Sequence, residues 1–436
     1  MHLKKILPLL IALFAISSLV NAQVTTSSIS GSVKQTNGDA MTGATITAIH
    51  QPSGSKYVTV SKKGGTFTLP GLRPGGPYII SCEFVGFKKQ DIDGVTLTLG
   101  DDYTANMSME PSNATLTTVV VTGKTSAANL KTGASTNIGQ RQIITLPTIT
   151  RNITDFTRLT PQSSGNAIAG RDGRYNNFTV DGANLNNNFG LSTDPLPGGN
   201  SQPISLDAIE EISVNIAPSD VRQSNFTGAN IASITKSGNN VFKGTIYGYY
   251  KDNTYIGRGI GDLKLPRQPT QSSKVYGASV GGPIIKNKLF FFINGEIEKR
   301  ELPSGITFYP TGGSGTGNIS NVKTDSLQKF SDYLSTKYGY TTGAYQNFAP
   351  FKIKNYKILA RVDWNINTVH KLTIKYSQMV GDDDRLMSNS TPNGANSGGP
   401  NTWTTQNRFG TSAMSFQNSQ YSFHDQVRTA SIEFKQ

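Results

Sequence analysis

The sequence predicts a mainly β protein with an N-terminal β-sandwich, a central α+β domain and the first strands of a transmembrane antiparallel β-barrel. Three observations support this fold class. Seven short runs rich in β-branched and aromatic residues lie between about residues 27 and 110. A polar zone rich in Asn, Gly, Thr and Ser follows them. From about residue 241 the chain changes to longer segments in which apolar and polar residues alternate.

Residues 1–22 have the features of a secretory signal peptide. Lys4 and Lys5 precede an apolar run over 6–20, and Val20-Asn21-Ala22 offers small residues for cleavage. The run is shorter than the ~20 residues of a membrane-spanning helix, which disfavours an anchor. Cys82 is the only cysteine, so an internal disulfide is excluded. These features favour an exported protein of the bacterial envelope.

The charge pattern of the chain does not indicate a nucleic acid partner. The net charge is +13, but the basic residues are spread along the chain without a basic helix or a clustered run. An anionic membrane surface is an equally good neighbour for such a chain. We therefore expect outer-membrane lipid, and no nucleic acid, among its partners.

Residues 23–110 are predicted to form a sandwich of Greek-key type. Turn signals at Asn37-Gly38, at Gly64-Gly65 and at residues 74–77 separate its strands. The predicted core residues are Phe67, Leu69, Leu72, Tyr78 and Ile80. The stretch "GGTFTLPGLRPGGPY", with Gly31-Ser32-Val33 before it and Val85-Gly86-Phe87 after it, resembles the carboxypeptidase-regulatory-like domain, a non-catalytic module.

Residues 111–126 are predicted to be a linker with one isolated β-forming run, Val119-Val120-Val121. Two interpretations are open for this run. It is either the last edge strand of the sandwich or a docking strand that adds to the sheet edge of a partner. Its position between two domains favours the docking strand, because docking needs slack on both sides.

Residues 127–239 are predicted to form the α+β domain. A short helix is expected around Ile153, Phe156 and Leu159, which follow each other at helical spacing. Strands are expected before the Asp181-Gly182 turn, over 212–216, and before the turn at residues 238–240.

Residues 240–436 are predicted to form six barrel strands, joined alternately by tight turns and long loops. The tight turns lie near residues 286–288 and 365–367, whereas one long connection covers about fifty residues, 302–354. Short turns on one side and long loops on the other are typical of outer-membrane barrels. The predicted strands cover 241–251, 274–282, 289–299, 355–365 and 371–378, and a sixth begins near Val427.

Each predicted barrel strand has one face almost without charge. We expect this face to contact lipid and the other face to line a wet lumen, because a charge facing lipid near the midplane costs roughly 2–4 kcal/mol. The predicted lipid-facing set includes Tyr356, Ile358, Ala360, Val362, Trp364 and Ile374, and the predicted inward set includes Glu296, Lys357, Arg361 and Lys375.

Taken together, the parts resemble a TonB-dependent outer-membrane receptor, of the Oar-like group and more loosely of the SusC type. The stretches "TTVVVTG", "FTVDGANLNNNFG", "FTGANIASITKSGNNVFKGTIYGYY" and "YGASVGGPIIKNKLFFFINGE" support this resemblance. It implies that residues 127–239 are a plug inside the barrel, and that the protein imports a polar nutrient. It leaves open a surface lipoprotein that acts as a lid.

The resemblance also implies a binding segment for TonB, the energy-transducing inner-membrane partner. The matching residues are Thr118, Val119, Val120, Val121, Thr122 and Gly123, although the acidic residue that commonly precedes the valines is missing. Plugged transporters of this kind have about 22 strands, whereas six are predicted here. We therefore expect the sequence to be truncated within its barrel.

Catalytic and cofactor sites are not predicted. The four histidines are far apart, and no nucleophile lies in a pattern with a base, so the chain is not expected to be an enzyme. Asp382, Asp383 and Asp384 are expected in the loop after the fifth strand, as a solvated turn or, less favoured, a calcium site. The alternative function is a secreted or surface-attached β-rich adhesion protein whose hairpins form a soluble sandwich.

Overall fold

The structure is a computed structural model, and it describes twelve ranges of the chain. These are residues 24–112, 119–122, 134–148, 151–186, 202–217, 223–264, 271–304, 308–313, 318–386, 391–392, 403–404 and 409–435. The predicted signal peptide lies outside them. Among the described residues, no helix has the length and hydropathy that a membrane-spanning helix needs.

The N-terminal part is a two-sheet sandwich. One sheet has the order β4-β1-β7 with β8 also paired to β1, and the other has the order β3-β2-β5-β6. All five predicted core residues are buried, so that prediction is confirmed. One strand more than predicted is present: β1 (Ser27–Gln35), β2 (Thr45–His50), β3 (Ser55–Val60), β4 (Thr66–Leu72), β5 (Gly75–Glu83), β6 (Gln90–Leu97), β7 (Asp102–Thr104) and β8 (Met107–Met109).

A ninth strand, β9 (Val119–Thr122), extends the second sheet of this sandwich. It pairs with β6 in parallel, with Val119 opposite Gln90 and Thr122 opposite Asp93. The edge-strand interpretation of the linker run therefore describes the structure.

The central domain, as the name is used below, contains the elements between residues 134 and 235. Its five-stranded sheet has the order β10-β15-β16-β13-β14, in which only β13 and β16 run parallel. Its elements are β10 (Ala134–Gly139), α1 (Gln140–Thr145), α2 (Thr154–Thr157), β11 (Ser163–Ser164), β12 (Ala167–Ile168), β13 (Asn177–Val180), β14 (Ala183–Asn184), β15 (Ile209–Ile216) and β16 (Asn230–Thr235).

The expected short helix is present as α2, but it is shorter than predicted. Ile153 and Phe156 are buried, whereas Leu159 is 42% exposed. The helix ends at Thr157, so the helical spacing does not carry Leu159 onto the buried face. The prediction that the helix includes Leu159 was wrong.

Six long strands form one antiparallel sheet, called the wall below. They follow each other in chain order, and β17 and β28 are its two edges. Most are longer than predicted, and the sixth begins at residue 420 rather than near Val427. The strands of the wall are β17 (Lys243–Asp252), β20 (Ser272–Ile285), β21 (Leu289–Leu302), β24 (Phe351–Asn365), β25 (Lys371–Leu386) and β28 (Gln420–Lys435).

The long connections of the wall contain structure of their own. The fifty-residue connection carries a 15-residue helix, α3 (Thr324–Tyr338), which ends at Gly339 in the left-handed conformation. The segment just before β28 contacts this connection: Gln417 N–H donates to Ala344 O at 2.7 Å. The remaining strands of these connections are β18 (Gly259–Ile260), β19 (Leu263–Lys264), β22 (Phe308–Thr311), β23 (Asn318–Lys323), β26 (Thr391–Pro392) and β27 (Trp403–Thr404).

Candidate functional site

The central domain covers one face of the wall. Phe292 and Leu359 of the wall pack into its core beside Phe156 and Leu206. The opposite face is open, and Ile358 and Ile374 on it are 46% and 45% exposed. The predicted assignment of Ile358 and Ile374 to one face and of Lys357 and Lys375 to the other is confirmed, although Lys354 near the start of β24 adds a charge to the outer face.

The prediction that the polar inner residues line a wet lumen is wrong for Lys357 and Glu296, which are buried against protein. Lys357 is almost fully buried between two carboxylates of the neighbouring strand, at 2.7 Å from Glu296 Oε1 and 3.2 Å from Glu298 Oε2. Glu296 Oε2 also accepts from Ser205 Oγ of the central domain at 2.7 Å and from Tyr247 OH at 2.8 Å. These side chains meet protein because the central domain fills the space in front of them.

A second polar cluster joins the central domain to the wall around Asp181. Asp181 accepts from Thr235 N–H at 3.0 Å and from Thr235 Oγ1 at 2.6 Å, which fixes its carboxylate at the end of β16. The wall places Lys375 Nζ at 3.7 Å and Arg361 Nη1 at 3.9 Å from Asp181 Oδ1. Arg361 also donates to Thr235 O at 3.0 Å and forms a bidentate ion pair with Asp363. One carboxylate of the central domain thus meets two cations of the wall.

Arg151 makes the third polar contact between the central domain and the wall. It forms an ion pair with Asp207, and its guanidinium lies 4.0 Å from the ring centroid of Tyr249 on β17. A cavity of about 410 Å³ lies beside this contact. It is lined by the α1 residues Ile143 and Ile144 and by groups of both units, so water can reach this part of the interface.

The N-terminal sandwich contacts the tight-turn end of the wall. Asn365 Nδ2 donates to Ser55 Oγ at 2.9 Å, and Asn240 N–H donates to Pro52 O at 2.9 Å. The Lys371 ammonium lies over the ring of Tyr57. The tight turns and the sandwich are therefore on the same side of the molecule.

The sandwich also contacts the central domain through one buried carboxylate. Leu99 N–H donates to both oxygens of Glu211, at 3.0 and 3.1 Å. Glu211 lies on β15 and is buried, and Leu99 packs with Ala232 and Ile234 of β16. A buried carboxylate needs such donors, so this contact anchors the two units to each other.

A cavity of about 240 Å³ lies where the sandwich, the central domain and the wall meet. His50, Arg73, Glu210 and Lys236 are among its lining residues. Burial, with the charges of Arg73 and Lys371 adding to it, lowers the pKa of His50 to about 3. Burial also lowers the pKa of Lys236, although Glu210 and Asp207 oppose that shift.

The predicted TonB-binding residues are only partly described. Val119, Val120, Val121 and Thr122 form β9, whereas Thr118 and Gly123 lie outside the described residues. Sequence reasoning missed Asp181, Ser205 and Glu211, although it marked Asp181-Gly182 as a turn. The alternation within the wall identified the inner cations, and no sequence pattern identified their partners on the central domain.

The three aspartates lie in a strand and not in the expected loop, because β25 continues to residue 386. Asp383 points to the opposite face from Asp382 and Asp384, because side chains alternate along a strand, so the three carboxylates do not converge. Each has a different partner: Asp382 contacts His424 Nδ1 at 2.8 Å, Asp383 contacts Arg385 and Asp384 accepts from Lys352 N–H. Among the described residues, no group of three metal-ligating side chains is present.

Comparisons with known proteins identify two regions of the chain. A family model described as carboxypeptidase regulatory-like domain matches residues 28–110, and one described as outer membrane beta barrel domain matches residues 234–346. The TonB-dependent transporter Oar of Myxococcus xanthus is 24% identical over 264 residues, which cover 57% of this chain and 24% of that protein. These matches support the predicted resemblance to the TonB-dependent outer-membrane receptors. The chain spans about a quarter of the length of this curated relative.

Solved structures similar to this chain include a receptor and a transporter. The siderophore receptor PirA of Acinetobacter baumannii is 19% identical, with a TM-score of 0.39 over 59% of this chain and 32% of its own. The outer membrane transporter YddB of Escherichia coli is 14% identical, with a TM-score of 0.38 over 59% of this chain and 37% of its own. The relative Oar is named as a transporter, which agrees with the prediction that the chain is not an enzyme.

Proposed function

We propose that this receptor imports a polar nutrient across the outer membrane and that TonB supplies the energy through residues 118–123. The observation that carries this proposal is the polar contact between the central domain and the wall. Asp181, Ser205 and Arg151 reach the wall through hydrogen bonds, ion pairs and ring contacts. Polar interfaces of this kind permit relative motion more readily than large apolar ones.

The proposed mechanism begins at the linker. A strand partner that pulls on residues 118–123 applies force to β10, the first strand of the central domain after the linker. β10 pairs with β15 along its whole length, from Ala134 opposite Ile216 to Gly139 opposite Glu211. The force therefore acts on the sheet that carries Glu211. For the central domain to move, its polar contacts with the wall have to break and reform. In this role the central domain is the plug of the barrel.

The substitution Val120→Pro tests the role of the linker. Proline removes a backbone N–H that a docked strand needs, so we expect purified receptor with this change to lose capture of the TonB periplasmic domain. Lys124→Pro is the matched control, because it lies in the same linker outside residues 118–123. Surface abundance in cells is measured for both variants and should equal the wild-type value. Equal capture by both variants would remove residues 118–123 from the mechanism.

The alternative is a surface-attached adhesion protein, and the match to an outer membrane beta barrel domain speaks against its soluble form. Fractionation separates the two functions. An importer should stay with detergent-extractable outer membranes after a high-salt wash, whereas release by salt alone would favour the adhesion protein. A lipoprotein lid stays a prediction of the resemblance.

A further inference from the structure

We propose that the N-terminal sandwich holds the linker strand in its own sheet and thereby competes with TonB for it. The competing site is the free edge of β6, and its occupant is the segment Val119–Thr122. This inference rests on the proposed docking of TonB to residues 118–123. It gives the N-terminal sandwich a regulatory role.

The contact that carries the inference is the parallel ladder between β6 and β9. Its register is Gln90 to Val119, Asp91 to Val120, Ile92 to Val121 and Asp93 to Thr122. Residues 110–112 also pair with the residues just before β6, because Lys88 N–H donates to Glu110 O and Ser112 N–H donates to Gly86 O, both at 2.8 Å. The start of the linker is thus fixed to the sandwich near the β6–β9 ladder.

While the β6–β9 ladder is formed, a partner cannot draw the segment away from the receptor. The backbone groups of β9 that face β6 are used in the ladder, and the N-terminal sandwich is itself fixed to the wall and the central domain. A partner that takes the whole segment as its own strand must first open the β6–β9 ladder. Four parallel pairs make a short ladder, and parallel pairing is slightly weaker per residue than antiparallel pairing, so the hold is reversible. The apparent affinity of a partner falls in proportion to the fraction of segment that is free.

The same strand is connected to the central domain. β6 ends at Leu97, and two residues later the N–H of Leu99 is bound by the buried carboxylate of Glu211. Glu211 lies opposite Gly139 on β10, the strand that follows the linker. A rearrangement of the central domain that moves Glu211 therefore also acts on β6.

The first experiment tests the hold without any partner. In full-length receptor with Cys82→Ala, the pair Asp91→Cys and Val120→Cys lies in register and should form a disulfide during export. The control pair Thr47→Cys and Val120→Cys should not, because β5 and β6 separate β2 from β9 and adjacent strands lie about 4.8 Å apart. No disulfide in the first pair, or equal yields in both, would overturn the inference.

The second experiment tests the competition. The Asp91→Cys, Val120→Cys receptor is purified in oxidised and reduced form, and its binding of the TonB periplasmic domain is measured. We expect binding to be at least tenfold weaker when the disulfide is closed and to return on reduction. Equal binding in both forms would show that β9 docks while it stays on β6, and would overturn the competition. Failure of the wild-type receptor to bind would instead overturn the proposed TonB docking, while the cross-link would still establish the hold.

Discussion

At the scale of single residues, burial changes the proton affinity of His50. Its imidazole is buried in the sandwich, and its Nδ1 lies 2.7 Å from Ser53 Oγ. Burial, aided by the charges of Arg73 and Lys371, lowers the pKa from 6.5 to about 3. The unfolded chain therefore binds a proton here at pH values at which the folded chain does not.

This difference gives the protein a stability that depends on pH. The contribution of His50 is complete above pH 6.5 and is lost as the pH falls from 6.5 towards 3, because only the unfolded state gains a proton in that range. Between pH 7 and pH 4, we expect the free energy of unfolding to fall by a few kcal/mol less in His50→Gln than in the wild type. Thermal unfolding of wild type and variant at several pH values measures it. The same dependence of stability on pH in both proteins would contradict the lowered pKa of His50.

Asp181 of the central domain faces two charged groups of the wall, Arg361 and Lys375. Asp181→Asn keeps an acceptor for Thr235 N–H but removes the charge that faces Arg361 and Lys375. We expect the free energy of unfolding to fall by about 1–3 kcal/mol. The control is Asp172→Asn in the same domain, whose partner Arg174 is two residues away and whose side chain is largely exposed. Similar losses in the two variants would argue against a specific contact with the wall.

At the scale of elements, strand β24 offers a matched pair of lysines. Lys357 faces inward between Glu296 and Glu298, whereas Lys354 is exposed on the outer face. Lys357→Met leaves two buried carboxylates without their cation, which should cost about 3–5 kcal/mol. Lys354→Met should change stability by about 0.5 kcal/mol or less. Denaturant unfolding in detergent compares the two, and equal effects would mean that the inward cluster is hydrated.

The elements also show what the sequence could predict. Alternation in β24 and β25 identified the inner and outer faces, because burial of one face leaves a period of two in the sequence. Strand ends and the position of Asp383 were predicted wrongly, because pairing with β28 extends β25 to residue 386. The helix α2 is also shorter than its spacing predicted and ends before Leu159. The partner of Val119–Thr122 was left open, since an edge strand and a docking strand have the same local composition.

At the scale of the whole molecule, three units meet closely at the tight-turn end of the wall. Gly238 lies at the contact between them, where Arg73 Nη1 reaches its carbonyl at 3.5 Å. A Cβ at this position would lie 2.4 Å from Phe291 O and 2.7 Å from Gly282 O. We expect Gly238→Ala to push the central domain from the wall and to increase proteolysis at this contact. The control Gly257→Ala lies in open space and should have no effect.

The claim on which the account depends is that lipid surrounds the outer face of the wall while the central domain covers the inner face. Spin labels at residues 358 and 374, in full-length receptor with Cys82→Ala, test it most directly. Both native side chains are exposed on the outer face. A label at Tyr338, exposed on α3, serves as the aqueous reference. We predict frequent collisions with oxygen and rare collisions with a water-soluble nickel chelate at 358 and 374. Chelate accessibility equal to that at 338 would contradict the account.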